Sequence, residues 1–175
     1  FKKVADPLAE IPAIYVCLDD LEPFKPSSAL YSEGKANDFS FGLEVLKRLS
    51  SSVEVVASQS VDYTNHPLKN FVTISVKGHF PATDSGVVLY YNKTSAAENN
   101  SAYISGQDVI RLGQGLQTGL YPSRKLIVVS GSLVKEPFHC WINEGEPITS
   151  VIKGLDINAG EPYTILGGLL TGRRS

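Results

Sequence analysis

Three histidines, His66, His79 and His139, and two cysteines, Cys17 and Cys140, are the first places to look for metal or nucleophile chemistry in this chain. A metal needs donors delivered to one face, by an HxH or HxxxH spacing or a CxxC pair, and none of these spacings occurs. The sequence therefore predicts no metal site. It reads His66 and His79, both close to prolines, as ordinary surface residues, and the two widely separated thiols as reduced and buried. Serines are plentiful, but no GxSxG elbow lifts one onto a strand-to-helix turn. No catalytic residue is assigned. Asp19 and Asp20 end an apolar run at the place where α/β proteins hold ligands, and they are read as solvated turn carboxylates.

Phosphate chemistry is tested the same way. A dinucleotide site needs a glycine-rich turn between the first strand and first helix, so that backbone amides reach a pyrophosphate. Here that turn reads Asp19-Asp20-Leu21-Glu22-Pro23-Phe24, which is acidic and would repel phosphate. Gly113 and Gly115 fall inside a helical pattern and Gly167-Gly168 in the tail, so no cofactor-binding residue is assigned either. A formal charge of -2 leaves no basic face for nucleic acid. Apolar runs such as Val87 to Tyr91 and Leu126 to Val129 are far too short to span a bilayer. Asn92-Lys93-Thr94 and Asn99-Asn100-Ser101 match the glycosylation pattern and are read as accidental.

The elements that would position these residues alternate. Ala13 to Leu18 is continuous, apolar and β-branched, as expected of a strand covered on both faces. From Asn37 to Leu49, Phe39, Gly42, Leu43, Leu46 and Leu49 recur at helical spacing, with Asn37 or Asp38 as the cap. Val53 to Ala57 is a second strand, and Phe71 to Lys77 alternates as a one-sided strand does. Val87 to Tyr91 is expected to be another strand, followed by a polar loop from Asn92 to Ala102. Ser105-Gly106-Gln107-Asp108 has the form of a capping box for a helix with Val109, Leu112, Gly113, Leu116 and Leu120 on its buried stripe, stopped by Gly119 and Pro122. Gly113 on that stripe predicts a close helix-to-sheet approach. Leu126 to Val129 is expected to enter the sheet as a further interior strand.

Past Gly131 the texture changes to short strands and turns. Asn143-Glu144-Gly145-Glu146-Pro147-Ile148-Thr149 is echoed by Asn158-Ala159-Gly160-Glu161-Pro162-Tyr163-Thr164, each read as a turn that launches an extended segment. The predicted organisation is a Rossmann-like three-layer α/β domain over residues 1–132 and a small β-rich lobe over 133–175, cut near its end. Trp141 is read as that lobe's packing anchor, with a partner contact, shared with His139, as the functional alternative. The start at Phe1, the lack of methionine and the crowding of Pro7, Pro12, Pro23 and Pro26 lead to the expectation of a piece of a longer polypeptide.

Several blocks resemble a known family in order and spacing. Phe1 to Val4, Ala13 to Pro26 and Gly34 to Leu49 resemble the middle of the A-type subunit of the Na+-translocating NADH:quinone reductase. So do Tyr103-Ile104-Ser105-Gly106-Gln107-Asp108-Val109-Ile110, Thr118 to Tyr121, Val128 to Gly131, Gly160 to Pro162 and Leu166 to Gly172. The loop Gly78 to Gly86 departs from the family's His-Pro-Ala-Gly-containing form. The resemblance implies that the second lobe is a β-grasp of the soluble-ligand-binding type, as in the NADH-binding subunit of complex I and in one component of a ferredoxin-linked ion pump. It implies a peripheral subunit on the cytoplasmic side of the bacterial inner membrane, in a complex that oxidises NADH, reduces quinone and exports sodium. Flavins, the iron site and the NADH site would lie in other subunits, and Phe1, Lys2, Lys3 and Val4 would lie near quinone. The alternatives are a free-standing ligand-binding β-grasp module and an electron-input subunit that binds flavin and NADH.

Overall fold

The computed structural model describes residues 9–19, 21–153 and 164–174. Two compact units emerge. Residues up to Leu21 together with Ser28–Pro122 form the first, and Glu22–Ser27 with the residues from Ser123 onward form the second, against an expected boundary after residue 132.

The first unit is built on four parallel strands. They are β1 (Ile14–Cys17), β2 (Val53–Ser58), β3 (Ile74–Val76) and β4 (Ala102–Ser105), in the order β3-β2-β1-β4. The apolar run of β1 is buried on both faces, as its continuity predicts: Tyr15 is 4% exposed and Val16 fully buried. Ala13, Tyr15 and Val56 share one face, where they pack with Val88. Ile14, Val16 and Val55 have the opposite parity and are equally hidden.

Helices α1 (Ser28–Ser32) and α2 (Ala36–Leu46) connect β1 to β2, α3 (Ser85–Asn92) connects β3 to β4, and α4 (Gly106–Thr118) follows β4. The two crossovers run in opposite directions along the sheet, and right-handed connection then puts α2 and α3 on opposite faces. Phe39, Gly42, Leu43 and Leu46 form the buried stripe of α2. The helix ends at Leu46, so Leu49 is 61% exposed instead of buried. Its N-cap position is Lys35, whose side chain makes no capping hydrogen bond, and Asp38 lies in the first turn.

The close approach predicted at Gly113 is real, but the partner is a helix and not the sheet. A Cβ at Gly113 would fall 2.0 Å from the Asp38 carbonyl oxygen, and one at Gly42 would fall 2.3 Å from that of Val109. Leu116 and Leu120, expected on the buried stripe of α4, are 57% and 74% exposed. Gly119 closes the helix in the left-handed conformation, as expected.

Three further expectations are corrected. Residues 87–91 are helical and belong to α3. A short apolar run does not distinguish strand from helix, and Asp84 caps this one by accepting from the Gly86 amide at 2.8 Å. A strand, β4, exists where none was expected, because its four residues carry too little pattern. The predicted strand at 71–77 shrinks to β3 behind a 3-10 turn at Lys69–Phe71.

In the second unit, β5 (Arg124–Val129) pairs antiparallel with β6 (Phe138–Asn143). It is therefore not an interior strand of the parallel sheet; an apolar strand sequence does not name its neighbour. The turn at Asn143–Glu146 has Gly145 at φ 89, as expected, yet it launches a helical turn, α5 (Ile148–Ile152), and not a strand. The second copy of that motif lies almost wholly outside the described residues. β7 (Ile165–Leu166) and β8 (Arg173–Arg174) form a small antiparallel pair. Glu22 accepts from the amides of Leu170 and Thr171 and from the Thr171 hydroxyl, and Lys25 Nζ approaches its Oε2 at 3.2 Å and also reaches the Gly167 carbonyl. These bonds join 22–27 to residues far along the chain. Cys17 and Cys140 are both thiols, half-buried and not deeply buried.

Candidate functional site

Parallel α/β sheets hold ligands at the carboxyl ends of their strands, where the direction of connection reverses. In the first unit that point lies between β1 and β4. Tyr31, from α1, donates to the Leu18 carbonyl at 2.6 Å. Gly106, at the start of α4, sits so close that a Cβ would lie 2.6 Å from the Tyr31 hydroxyl and 2.7 Å from Leu18 Cδ2. The crevice is filled by the chain's own atoms.

The helix end beside it is self-capped. Ser105 accepts from the Asp108 amide at 3.1 Å and donates to Asp108 Oδ2 at 2.6 Å, while Arg111 bonds Asp108 Oδ1 at 2.9 Å. The positive end of α4, which elsewhere attracts phosphate, faces its own carboxylate.

A polar network occupies the end of β1 and β2. Asp19, expected in solvent, is 6% exposed. Its Oδ1 accepts from the Ser28 hydroxyl at 2.6 Å, and its Oδ2 accepts from the Tyr63 hydroxyl at 2.6 Å and the Ser58 amide at 3.1 Å. His66, expected on the surface, is 7% exposed; its Nε2 lies 2.9 Å from Ser28 Oγ and its Nδ1 accepts from the Leu68 amide at 3.1 Å. The Tyr63 ring lies against it, centroids 4.2 Å apart. Asp20 is outside the described residues.

Asp, Ser and His within bonding reach suggest a nucleophilic triad, and the hydrogen bonds exclude it. An amide N–H only donates, so His66 Nδ1 is the bare nitrogen and a neutral ring carries its proton on Nε2. The imidazole therefore donates to Ser28, and Ser28 passes its own proton bond to Asp19. A general base must accept from the nucleophile, and this chain of donors runs the other way. Burial lowers the His66 pKa, against the attraction of Asp19, and favours that neutral ring. Burial and the bond to Asp19 raise the Tyr63 phenol, and burial raises Tyr31. The network is a fixed strut that ties β1, α1 and the 59–68 loop together.

The loop Gly78 to Gly86 also reaches this end. Its Thr83 is buried and accepts from the Leu21 amide, and His79 is exposed as expected. Among the described residues, no cluster of three or more His, Cys, Asp or Glu side chains is placed to hold a metal. Ser28, Tyr31 and Tyr63 had no sequence signal, because their bonds join residues up to 44 positions apart.

In the second unit the alternation of β6 puts His139 and Trp141 on one face, both exposed, opposite Val128 and Leu126 of β5. The Arg124 guanidinium lies 5.8 Å from the Trp141 ring centroid. The structure brings these two candidates together. Phe1, Lys2, Lys3 and Val4 lie outside the described residues.

The first unit is thus an α/β domain on a four-stranded parallel sheet whose usual ligand end is closed by its own side chains. Residues 1–121 match the family model described as the NqrA second alpha/beta domain, and the chain belongs to that family. It is similar to the A-type subunit of the Na(+)-translocating NADH-quinone reductase of Cellvibrio japonicus, 27% identical over 176 residues, covering 100% of this chain and 39% of that protein. The same subunit from Neisseria meningitidis serogroup A is 28% identical over 173 residues, with 98% and 38% covered. That of serogroup B is 30% identical over 138 residues, with 78% and 31% covered. The chain spans about two-fifths of the length of the first two of these relatives.

Proposed function

We propose that this chain is a Rossmann-like domain with a small β-grasp lobe within the A-type subunit of a sodium-translocating NADH:quinone reductase, and that its task is assembly. It is a peripheral part, on the cytoplasmic side of the inner membrane, that docks to other subunits while those carry flavins, iron and the NADH site. The observation that supports this most is the closure of the carboxyl end by Tyr31, Gly106 and the Asp19 network. A nucleotide would have to displace buried, fully bonded side chains there. Among the described residues no helix is long and apolar enough to cross a membrane. His139 and Trp141, with their exposed rings beside Arg124, are the proposed partner contact, and Phe1 to Val4 the proposed quinone-proximal segment.

Co-purification of the full-length polypeptide with its membrane neighbours, with NADH:quinone activity measured with and without sodium, tests the proposal. The double variant His139→Ala, Trp141→Ala is expected to lose its neighbours while keeping its own unfolding midpoint. Flavin or NADH retained by the chain alone would overturn the assembly reading.

A further inference from the structure

The hydrogen bonds that make the Asp19 network a strut at neutral pH also make it sensitive to a single proton. His66 Nδ1 accepts from the Leu68 amide at 3.1 Å, and Nε2 lies 2.9 Å from Ser28 Oγ, to which it donates. The ring is buried and stacks on Tyr63. A second proton has to go to Nδ1, because Nε2 already carries one. It would then face the Leu68 N–H, two donors head to head at 3.1 Å. The ring cannot both keep this place and take that proton.

The charged and titratable groups around the ring do not relieve the conflict. Asp19, at the end of β1, lies beyond Ser28 on the Nε2 side, and its oxygens accept from Ser28, Tyr63 and the Ser58 amide. Tyr31 of α1 gives its hydroxyl to the Leu18 carbonyl, and Tyr63 gives its own to Asp19. On the loop itself Asp62 accepts from the Thr64 amide, and Lys69 Nζ reaches the Thr64 carbonyl. Burial outweighs the attraction of Asp19 and keeps the ring below its ordinary pKa, in keeping with this geometry.

The bond to Leu68 holds a turn on which other contacts depend. The Lys69 amide donates to the His66 carbonyl and the Phe71 amide to the Leu68 carbonyl, both at 3.1 Å. Leu68 is wholly buried, and the Phe71 ring meets Phe39 of α2 edge-on, centroids 5.3 Å apart. We propose that His66 is a proton-operated latch: on acidification its imidazolium leaves the Leu68 amide, and residues 59–71 open while β1, β2, β4, α2 and α4 stay folded.

Hydrogen exchange of the whole chain tests this, read residue by residue by NMR between about pH 7.5 and 5.5 and referred to an unstructured peptide at each pH. Protection of the Leu68 and Phe71 amides is expected to fall about tenfold over that range, because one proton drives the opening. It is expected to lie below that of Val16 in β1 throughout. His66→Asn offers Leu68 an amide oxygen in place of Nδ1 and cannot be protonated, so its Leu68 protection should not change with pH. Independently of how that variant folds, the imidazole nitrogen shifts of the wild-type chain at neutral pH are expected to show Nδ1 bare and Nε2 protonated. The opposite tautomer, a wild-type Leu68 protection constant with pH, a fall that persists in His66→Asn, or equal protection of Leu68 and Val16 at every pH would each overturn the proposal.

Discussion

In the first unit α2 and α4 touch backbone to backbone at Gly42 and Gly113, and Val16, Phe39 and Val109 are wholly withdrawn from solvent. In the second, Leu126 is the buried hydrophobic residue among those described, and the bonds that gather distant segments converge on one carboxylate, Glu22. Apolar burial is spread over many side chains, each worth about 1.5–3 kcal/mol. A polar anchor concentrates its contribution in one group. The first kind of unit is most sensitive to a violation of its shape, whereas in the second the removal of one charge frees the segments gathered around it.

The largest effect is therefore expected from Gly113→Ala. Its methyl would meet the Asp38 carbonyl, which belongs to a helix backbone and cannot step aside. A loss of about 3 kcal/mol is expected in urea unfolding of the first unit. A variant as stable as wild type would show that the helices are not in contact there.

Asp19→Asn comes next, at about 2 kcal/mol, because one of the three donors from Ser28, Tyr63 and Ser58 would lose its acceptor. His66 sharpens this. Its folded pKa lies below 6.5, so the unfolded chain binds more protons and stability falls as pH drops below 6.5. Asp19 opposes that shift, and the variant is expected to lose stability more steeply on acidification, read from unfolding midpoints between about pH 7.5 and 5.5.

Glu22→Gln is expected to cost about 1 kcal/mol globally while releasing the Leu170 and Thr171 amides to hydrogen exchange. Burial pushes this carboxyl up, but the Thr171 hydroxyl and amide, the Leu170 amide and Lys25 outweigh it and hold the pKa at about 2, against 4.5 unperturbed. The anchor is then intact above pH 4.5 and is lost as pH falls through about 2. The glutamine variant should show no such acid transition in the second unit. An acid transition unchanged by the substitution would mean that another group anchors the tail.

Local pattern settled much of this molecule in advance. The runs of β1 and β2, the stripe of α2 and the Ser105–Asp108 capping box of α4 are legible because each depends on residues within one or two turns of one another. Only the tertiary structure decided that 87–91 is a helix, that β5 pairs outside the parallel sheet, and that Asp19 and His66 are buried in one network. The bonds of Asp19 and His66 join residues up to 44 positions apart, and the partner of β5 is a strand that its own run does not name. Burial there depends on what the rest of the chain brings alongside, which no window of the sequence contains.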